Sequence, residues 1–274
     1  MGKKALSREE LQALQNVELS ILLSFDAYCR KHGLRYYLIG GALLGAARYA
    51  GFIPWDDDVD VAMPREDYER LRACFAEDPI GGLFLQNADT DPRFARGIQK
   101  LRKDGTEVIE ASTKGVRMHQ GIYIDIFPVD YLPALDAKAI STRQRKIRRL
   151  LSIRSIRSGC IGGRMRTLKR LLRVAVLFLS HRRLDRRLEA LCVKDNAKER
   201  NYAILWTHNY DWQRQTHPIS VLGTGGMCDF CGNTVMAPRD IHSFLTQVFG
   251  ENYMDPPPPE KRVPPHTYIS CRFE

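Results

Sequence analysis

Trp55-Asp56-Asp57-Asp58-Val59-Asp60-Val61-Ala62-Met63-Pro64 packs four carboxylates into five positions and then turns apolar. Such crowding is costly unless a cation neutralises it. The apolar run Val59–Met63 reads as a strand, and Pro64 stops it. On a strand, Asp58 and Asp60 share one face while Val59 and Val61 take the other. Their Cα atoms then stand roughly 7 Å apart, from about 3.3 Å of rise per residue. Two carboxylates at that reach converge on a hard divalent cation, which prefers oxygen ligands. Asp56 and Asp57 read instead as loop acids, solvated or capping the turn.

Upstream, Tyr36–Ile39 reads as a buried strand running into Gly40-Gly41 and a short helical segment, Ala42–Tyr49. Glycines at a strand-to-helix junction let backbone N–H groups approach a phosphate, which the helix N-terminus favours. Gly51-Phe52-Ile53-Pro54-Trp55 is a turn with apolar anchors. Further upstream, Ser7 with Glu10 forms a capping-box pattern. Leu11, Leu14, Val17, Ile21, Phe25 and Tyr28 then recur at helical spacing up to Gly33. Downstream, Pro64 opens a helix to about Phe75. Leu83–Gln86, Gly97–Arg102, Glu107–Ala111 and Ile122–Phe127 are strand candidates, with Pro128 and Pro133 marking the exit. In Tyr123-Ile124-Asp125-Ile126-Phe127 a lone acid is flanked by apolar residues. A buried aspartate needs a partner, and a metal shared with Asp58 and Asp60 supplies one. The pattern is α/β (α+β): a small mixed β-sheet flanked by helices.

The charge is uneven. Lys138–Arg187 holds 17 Lys or Arg and one acid, Asp185, a local charge of +16; with +10 for the whole chain, the remainder is acidic by 6. This block is helical in pattern, from about Asp136 to Lys198, with a break at Ser158–Gly163. In Leu168–Leu179, basic residues interleave with an apolar stripe, which suits an interfacial helix on anionic lipid. Nucleic acid fits less well, because aromatic residues are nearly absent there and no DNA-binding motif occurs. The expected organisation is a catalytic core at 1–135, a basic helical insertion at 136–200 contacting an acceptor or a membrane surface, and a C-terminal segment at 201–274 packing back on the core. That tail carries a helix at Asp240–Phe249 and an extended Pro256–Pro259 run.

At 31.4 kDa, with 44% hydrophobic and 27% charged residues, the composition is that of a globular protein rather than a disordered one. The longest strongly apolar run, Val174–Leu179, is too short to span a bilayer. The basic start Met1-Gly2-Lys3-Lys4 is followed by no apolar run, so it does not read as a secretory signal, and Leu6 does not fit myristoylation. These features and the seven cysteines, an odd count, favour reduced thiols and a cytoplasmic place, peripheral at the inner membrane face if the basic block touches lipid. Cys228 and Cys231 form a lone CxxC that reads as two ordinary thiols near a turn.

A Gly-Gly pair, an Asp58-Val59-Asp60 strand and a third-acid strand match the layout of the nucleotidyltransferase superfamily. The stretch from Tyr37 to Tyr68 resembles the signature of the LicD family. Further resemblance follows in Gly97–Arg102, with its central lysine, in His119–Asp130, and in Phe249–Arg262. The family usually carries a glutamate where Cys231 stands, and the basic block is poorly matched to it. The resemblance implies transfer of phosphocholine, or a related phospho-alcohol, from a CDP-activated donor to a hydroxyl of a surface glycan or its lipid-linked precursor, with release of CMP. The fukutin-type ribitol-phosphate transferases are distant relatives. The implied acceptors are a teichoic acid precursor, a lipopolysaccharide, a capsule repeat or a glycolipid.

With that resemblance, Asp58, Asp60 and Asp125 are the catalytic and Mg²⁺-binding residues, Mn²⁺ being an alternative ion. Gly40, Gly41, Arg48, Lys100, His119 and Arg262 are the donor-binding candidates. Of these, Arg48 reads equally as a cation ending its helix favourably, and His119 reads better as a support for the Asp125 strand. Trp55, Trp206 and Trp212 are candidates to stack cytosine or cage a trimethylammonium group, Trp55 being the better turn anchor. Two alternatives stay open: a nucleotidyltransferase that releases pyrophosphate, and a non-catalytic binder of membranes or polyanions.

Overall fold

The computed structural model describes residues 6–160 and 172–274. The readings of Met1–Ala5, of Ile161–Gly163 and of the first four residues of the Leu168–Leu179 stripe lie outside the described residues. Helix α1 (Arg8–His32) opens on Ser7, whose hydroxyl accepts from the Glu10 N–H while the Glu10 carboxylate accepts from the Ser7 N–H. It ends at Gly33, left-handed at φ 60°, which caps the last carbonyls. Its apolar stripe, from Leu11 and Leu14 to Phe25 and Tyr28, is buried in the main core.

A seven-stranded sheet carries the molecule. Strands β1 (Tyr37–Ile39), β2 (Asp60–Pro64), β3 (Leu83–Gln86), β4 (Gln99–Lys103) and β6 (Tyr123–Leu132) run in the order β1-β2-β6-β4-β3, while β5 (Glu107–Glu110) lies in a separate ribbon. Only the central pair, β2 and β6, is parallel along that path. Strand β6 is fully buried and continues through Pro128 instead of ending there. The proline is tolerated because β4 pairs no further than Ile126 and β7 (Tyr202–Ile204) begins pairing only at Asp130. Pro128 falls in the gap between them, where a missing N–H costs no ladder bond on that edge. Strand β8 (Thr216–Pro218) then pairs with β7.

Helix α2 begins at Gly40 and runs to Tyr49, so it takes in both glycines. Helix α3 (Arg65–Glu77) follows β2 directly. Arg65 donates from Nε and Nη2 to the two oxygens of Asp130 at 2.8 and 2.7 Å, locking α3 to β6 around a carboxylate with no exposure. The basic block forms α4 (Ala137–Ser158), broken at Gly159, and α5 (His181–Cys192). Both pack on a second core of Leu132, Ile140, Ile147, Leu188, Cys192, Ile204 and Trp206.

The segment after the insertion holds structure that periodicity does not reveal. Short α6 (Ile219–Leu222) precedes a hairpin, β9 (Gly226–Phe230) and β10 (Asn233–Ala237). Its two-residue turn is Cys231-Gly232, both left-handed at φ 53° and 72°. The turn reading of the lone CxxC therefore holds. Helix α7 (Ile241–Phe249) packs on the main core, and β11 (Tyr268–Arg272) returns to pair with β5. Among the described residues, no helix is long and apolar enough to cross a membrane.

Candidate active site

The parallel register of β2 and β6 sets Asp60 beside Asp125. The antiparallel register of β6 and β4 sets Lys100 on the other side of Asp125. Three neighbouring strands therefore present acid, acid and lysine in one row. That row floors a cavity of about 900 Å³, lined also by Gly40, Gly41, Asp56 and Asp58. Val59 and Val61 are fully buried on the opposite side, as strand alternation requires.

The two glycines make room for acids. A Cβ on Gly41 would sit 2.1 Å from Asp56 Oδ2, and one on Gly40 would sit 3.0 Å from Asp60 Oδ2. Gly40 also has φ +59°. The first turn of α2 thus points its positive end at carboxylates, a favourable pairing.

Asp56 and Asp57 are not solvated loop acids. Asp56 lines the cavity, and Asp57 is 2% exposed. Asp57 Oδ1 lies 2.8 Å from His266 Nδ1, and its Oδ2 accepts from the His266 N–H at 3.2 Å. Tight turn geometry drives these acids inward: the Asp56 N–H donates to the Ile53 carbonyl, and Gln15 of α1 donates to the Asp56 carbonyl. Asp56, Asp57 and Asp58 offer oxygen atoms within 4.8 Å of one another.

Electrostatics describe a site short of positive charge. Burial, then Asp57 and Asp60, push the Asp56 carboxyl up to about 7. Burial, then Asp60 and Asp56, push Asp58 well above its ordinary value. Glu18, buried on α1 beneath them, is raised for the same reasons, burial first. A cluster of hard oxygen donors under mutual repulsion fits a divalent cation such as Mg²⁺.

The counter-charge lies on the far side of Asp125. Lys100 Nζ stands 2.6 Å from Asp125 Oδ1 and 3.1 Å from the centre of the Tyr123 ring. Burial lowers the Lys100 ammonium to about 8 against the opposing pull of Asp125. Arg96 and Arg102 also line the cavity. Arg96 pairs with Glu110 at 3.1 Å, and Glu110 is held down to about 2, since Arg96 and Lys100 outweigh its burial.

The remaining sequence candidates lie elsewhere. Arg48 donates to the carbonyls of Tyr253 and Asp255 and so ties down the chain after α7. His119 Nε2 lies 2.9 Å from Asp104 Oδ1, its Nδ1 accepts from the Gly121 N–H, and its ring stacks on Phe84. It braces the approach to β6. Arg262 lies over the Trp55 ring at 5.5 Å. None of the three lines the cavity, and neither do the tryptophans. Trp206 is buried in the second core under Arg143, and Trp212 donates to Ser141 of α4.

Half of the aromatic wall of the cavity comes from residues without a sequence signal. Phe127, His208, Tyr210 and Phe249 follow one another at ring-centre distances of 5.0, 5.2 and 6.3 Å. His208 Nε2 is 3.8 Å from Asp60 Oδ2. Phe127 and Phe249 sit in recognisable motifs. The rest arrive from the segment after the insertion, whose loops carry no periodicity.

Residues 33–146 match the family model described as LicD/FKTN/FKRP, nucleotidyltransferase domain. The chain is 28% identical over 267 residues to the lipopolysaccharide cholinephosphotransferase LicD of Haemophilus influenzae, covering 96% of this chain and 97% of that one. It is 53% identical over 47 residues to the human and mouse ribitol 5-phosphate transferase FKRP, covering 16% of this chain and 10% of those. The matched segment contains the acid row, both glycines and Lys100, and the longer match takes in the aromatic wall. By these matches, the residues that build its acid-lined cavity are similar to the LicD/FKTN/FKRP nucleotidyltransferase domain, and nearly the whole chain is similar to LicD.

Proposed function

We propose that this protein is a transferase moving phosphocholine, or a related phospho-alcohol, from a CDP-activated donor to a hydroxyl of a glycan or lipid-linked glycan. The observation that carries the reading is the row Asp60–Asp125–Lys100 on three adjacent strands, with Asp58 beside it, at the floor of the cavity. Of its relatives, one is by name a lipopolysaccharide cholinephosphotransferase and another a ribitol 5-phosphate transferase.

Asp58, Asp60 and Asp125 would hold Mg²⁺, with Mn²⁺ as a substitute, and Asp56 stands close enough to join them. When bound there, the ion would supply positive charge to the donor diphosphate and to the departing phosphate. The acceptor oxygen bonds to the β-phosphorus as the bond from that phosphorus to the CMP oxygen breaks, and CMP leaves with the electron pair. Asp125 orients the acceptor hydroxyl and takes its proton. Lys100 keeps Asp125 in place and adds positive charge near the transferred phosphate. Phosphoryl transfer rests largely on such positioning and charge stabilisation. Gly40 and Gly41 keep the acids seated at the start of α2.

Turnover of CDP-choline, CDP-ribitol, CDP-glycerol and CDP-ethanolamine with Mg²⁺ tests the reading. CMP is the expected product, and Asp60→Asn lowers the rate by about a thousandfold while thermal unfolding stays cooperative. Pyrophosphate from CTP, ATP or UTP would indicate a nucleotidyltransferase instead. Retained turnover in Asp60→Asn would remove the metal assignment.

A further inference from the structure

Ten large apolar side chains are prominently exposed among the described residues, and five of them crowd into Leu172–Leu179: Leu172, Val174, Leu177, Phe178 and Leu179. Phe178 is 90% exposed. Large apolar groups gathered on a surface mark a contact. Directly behind them, α5 buries Leu184 and Leu188 in the second core and leaves Arg182, Arg183, Arg186 and Arg187 exposed on its opposite face.

None of those arginines forms an ion pair with an acid among the described residues. The only acid of the block, Asp185, is spent on Arg154, which is 2% exposed and holds it at 2.7 Å while also donating to the Pro92 carbonyl. The patch is therefore apolar at its tip and cationic at its flank. It is also fixed in place. Arg157 of α4 donates to the Leu179 carbonyl at 3.2 Å, and the Arg173 guanidinium lies 3.3 Å from where a Cβ on Gly159 would stand. The same end of α4 contributes Leu151 and Ser155 to the cavity lining, followed by Cys160. The apolar tip is thus tied to the end of α4 that contributes to the cavity lining.

We propose that residues 172–187 form a docking surface for an anionic lipid bilayer, with Val174 and Phe178 entering the headgroup layer and the α5 arginines facing anionic headgroups. An apolar tip flanked by arginines outside any ion pair has the two attractions that peripheral membrane binding combines. A polyanion in solution would use the arginines and gain nothing from exposed Val174, Leu177 and Phe178. The contact with lipid stands independently of the transfer chemistry. Its further consequence, that the bilayer presents a lipid-linked acceptor to the cavity, rests on the function proposed above.

Flotation of the full-length protein with vesicles tests the proposal without any substrate. Vesicles of mixed phosphatidylcholine and phosphatidylglycerol are expected to take up at least about ten times more protein than phosphatidylcholine alone, with binding falling as salt is raised. The double change Arg182→Gln with Arg183→Gln, and separately Phe178→Glu, are each expected to lower uptake about tenfold with an unchanged melting temperature. Equal uptake by both vesicle types, no uptake, or full uptake by both variants would overturn the proposal. So would a dimer that Phe178→Glu dissolves, or a preference for duplex oligonucleotide over anionic vesicles. Vesicle uptake that persists in Asp60→Asn separates this surface from the transfer site, so that either idea can fail alone.

Discussion

Lys100 and Asp125 face each other across the β4–β6 register, with Nζ 2.6 Å from Oδ1 and both side chains nearly removed from water. A buried pair is poor at adding stability but expensive to break. Lys100→Met leaves Asp125 buried without its cation. The expected loss is about 3 kcal/mol in urea unfolding, together with loss of turnover. A change within about 0.5 kcal/mol, the range of an ordinary surface substitution, would show that Asp125 does not depend on the lysine.

The acid cluster sets a pH dependence. Asp56 titrates at about 7 in the fold, raised by burial and by Asp57 and Asp60, against about 3.9 in an unfolded chain. Between those values the folded protein binds more protons than the unfolded one, so stability falls as pH rises. Its contribution is full below about pH 4 and is lost through pH 7. Asp58 and Glu18 shift in the same direction. Melting temperature in EDTA is therefore expected to fall from pH 5 to pH 8, and added Mg²⁺ to flatten that slope. Parallel slopes with and without Mg²⁺ would argue against a cation at these acids.

Gly41→Ala places a methyl group 2.1 Å from Asp56 Oδ2. Helix propensity favours alanine at this position, so the fold should survive. The carboxylate must move instead. The expected outcome is a more than tenfold loss of turnover and a weaker stabilisation by Mg²⁺, with urea unfolding changed by no more than about 1 kcal/mol. Turnover at the parental level would mean that the Asp56 position is immaterial.

Asp57 clasps the C-terminal segment through both the backbone and the ring of His266. The imidazolium is raised there: burial pulls it down, but the hydrogen bond and charge of Asp57 outweigh that. Asp57→Ala removes both contacts and should loosen the stretch between α7 and β11. Trypsin is then expected to cut after Lys261 or Arg262 faster than in the parent, read by mass spectrometry. An unchanged cleavage rate would place the anchor elsewhere, with Tyr268 the next candidate.

The fold was legible where a side chain had one dominant reason for its place. The α1 periodicity, its capping box and Gly33, the alternation around Asp58 and Asp60, and the lone acid in an apolar strand all have that character. Pro128 misled because strand pairing, which no single segment encodes, decides whether a missing N–H matters. Asp56 and Asp57 looked like solvated acids because their partners, Gly41 and His266, are distant in type or in sequence. Trp206 and Trp212 are absorbed by the packing of α4. The β9–β10 hairpin turns on a cysteine in a left-handed conformation, a residue that gives no turn signal of its own.

Strand β6 is long enough to reach both cores. Ile124 and Ile126 belong to the main core and Leu132 to the second, so one ten-residue strand is the seam where two packing units meet. The acid row occupies the first half of the seam, and the insertion helices rest on the other. Melting the seam dissolves both units together, whereas the helical pair can fray from its own end and leave the acids in register. A change in the length or charge of that pair can therefore alter the proposed lipid contact while leaving the acid row in register.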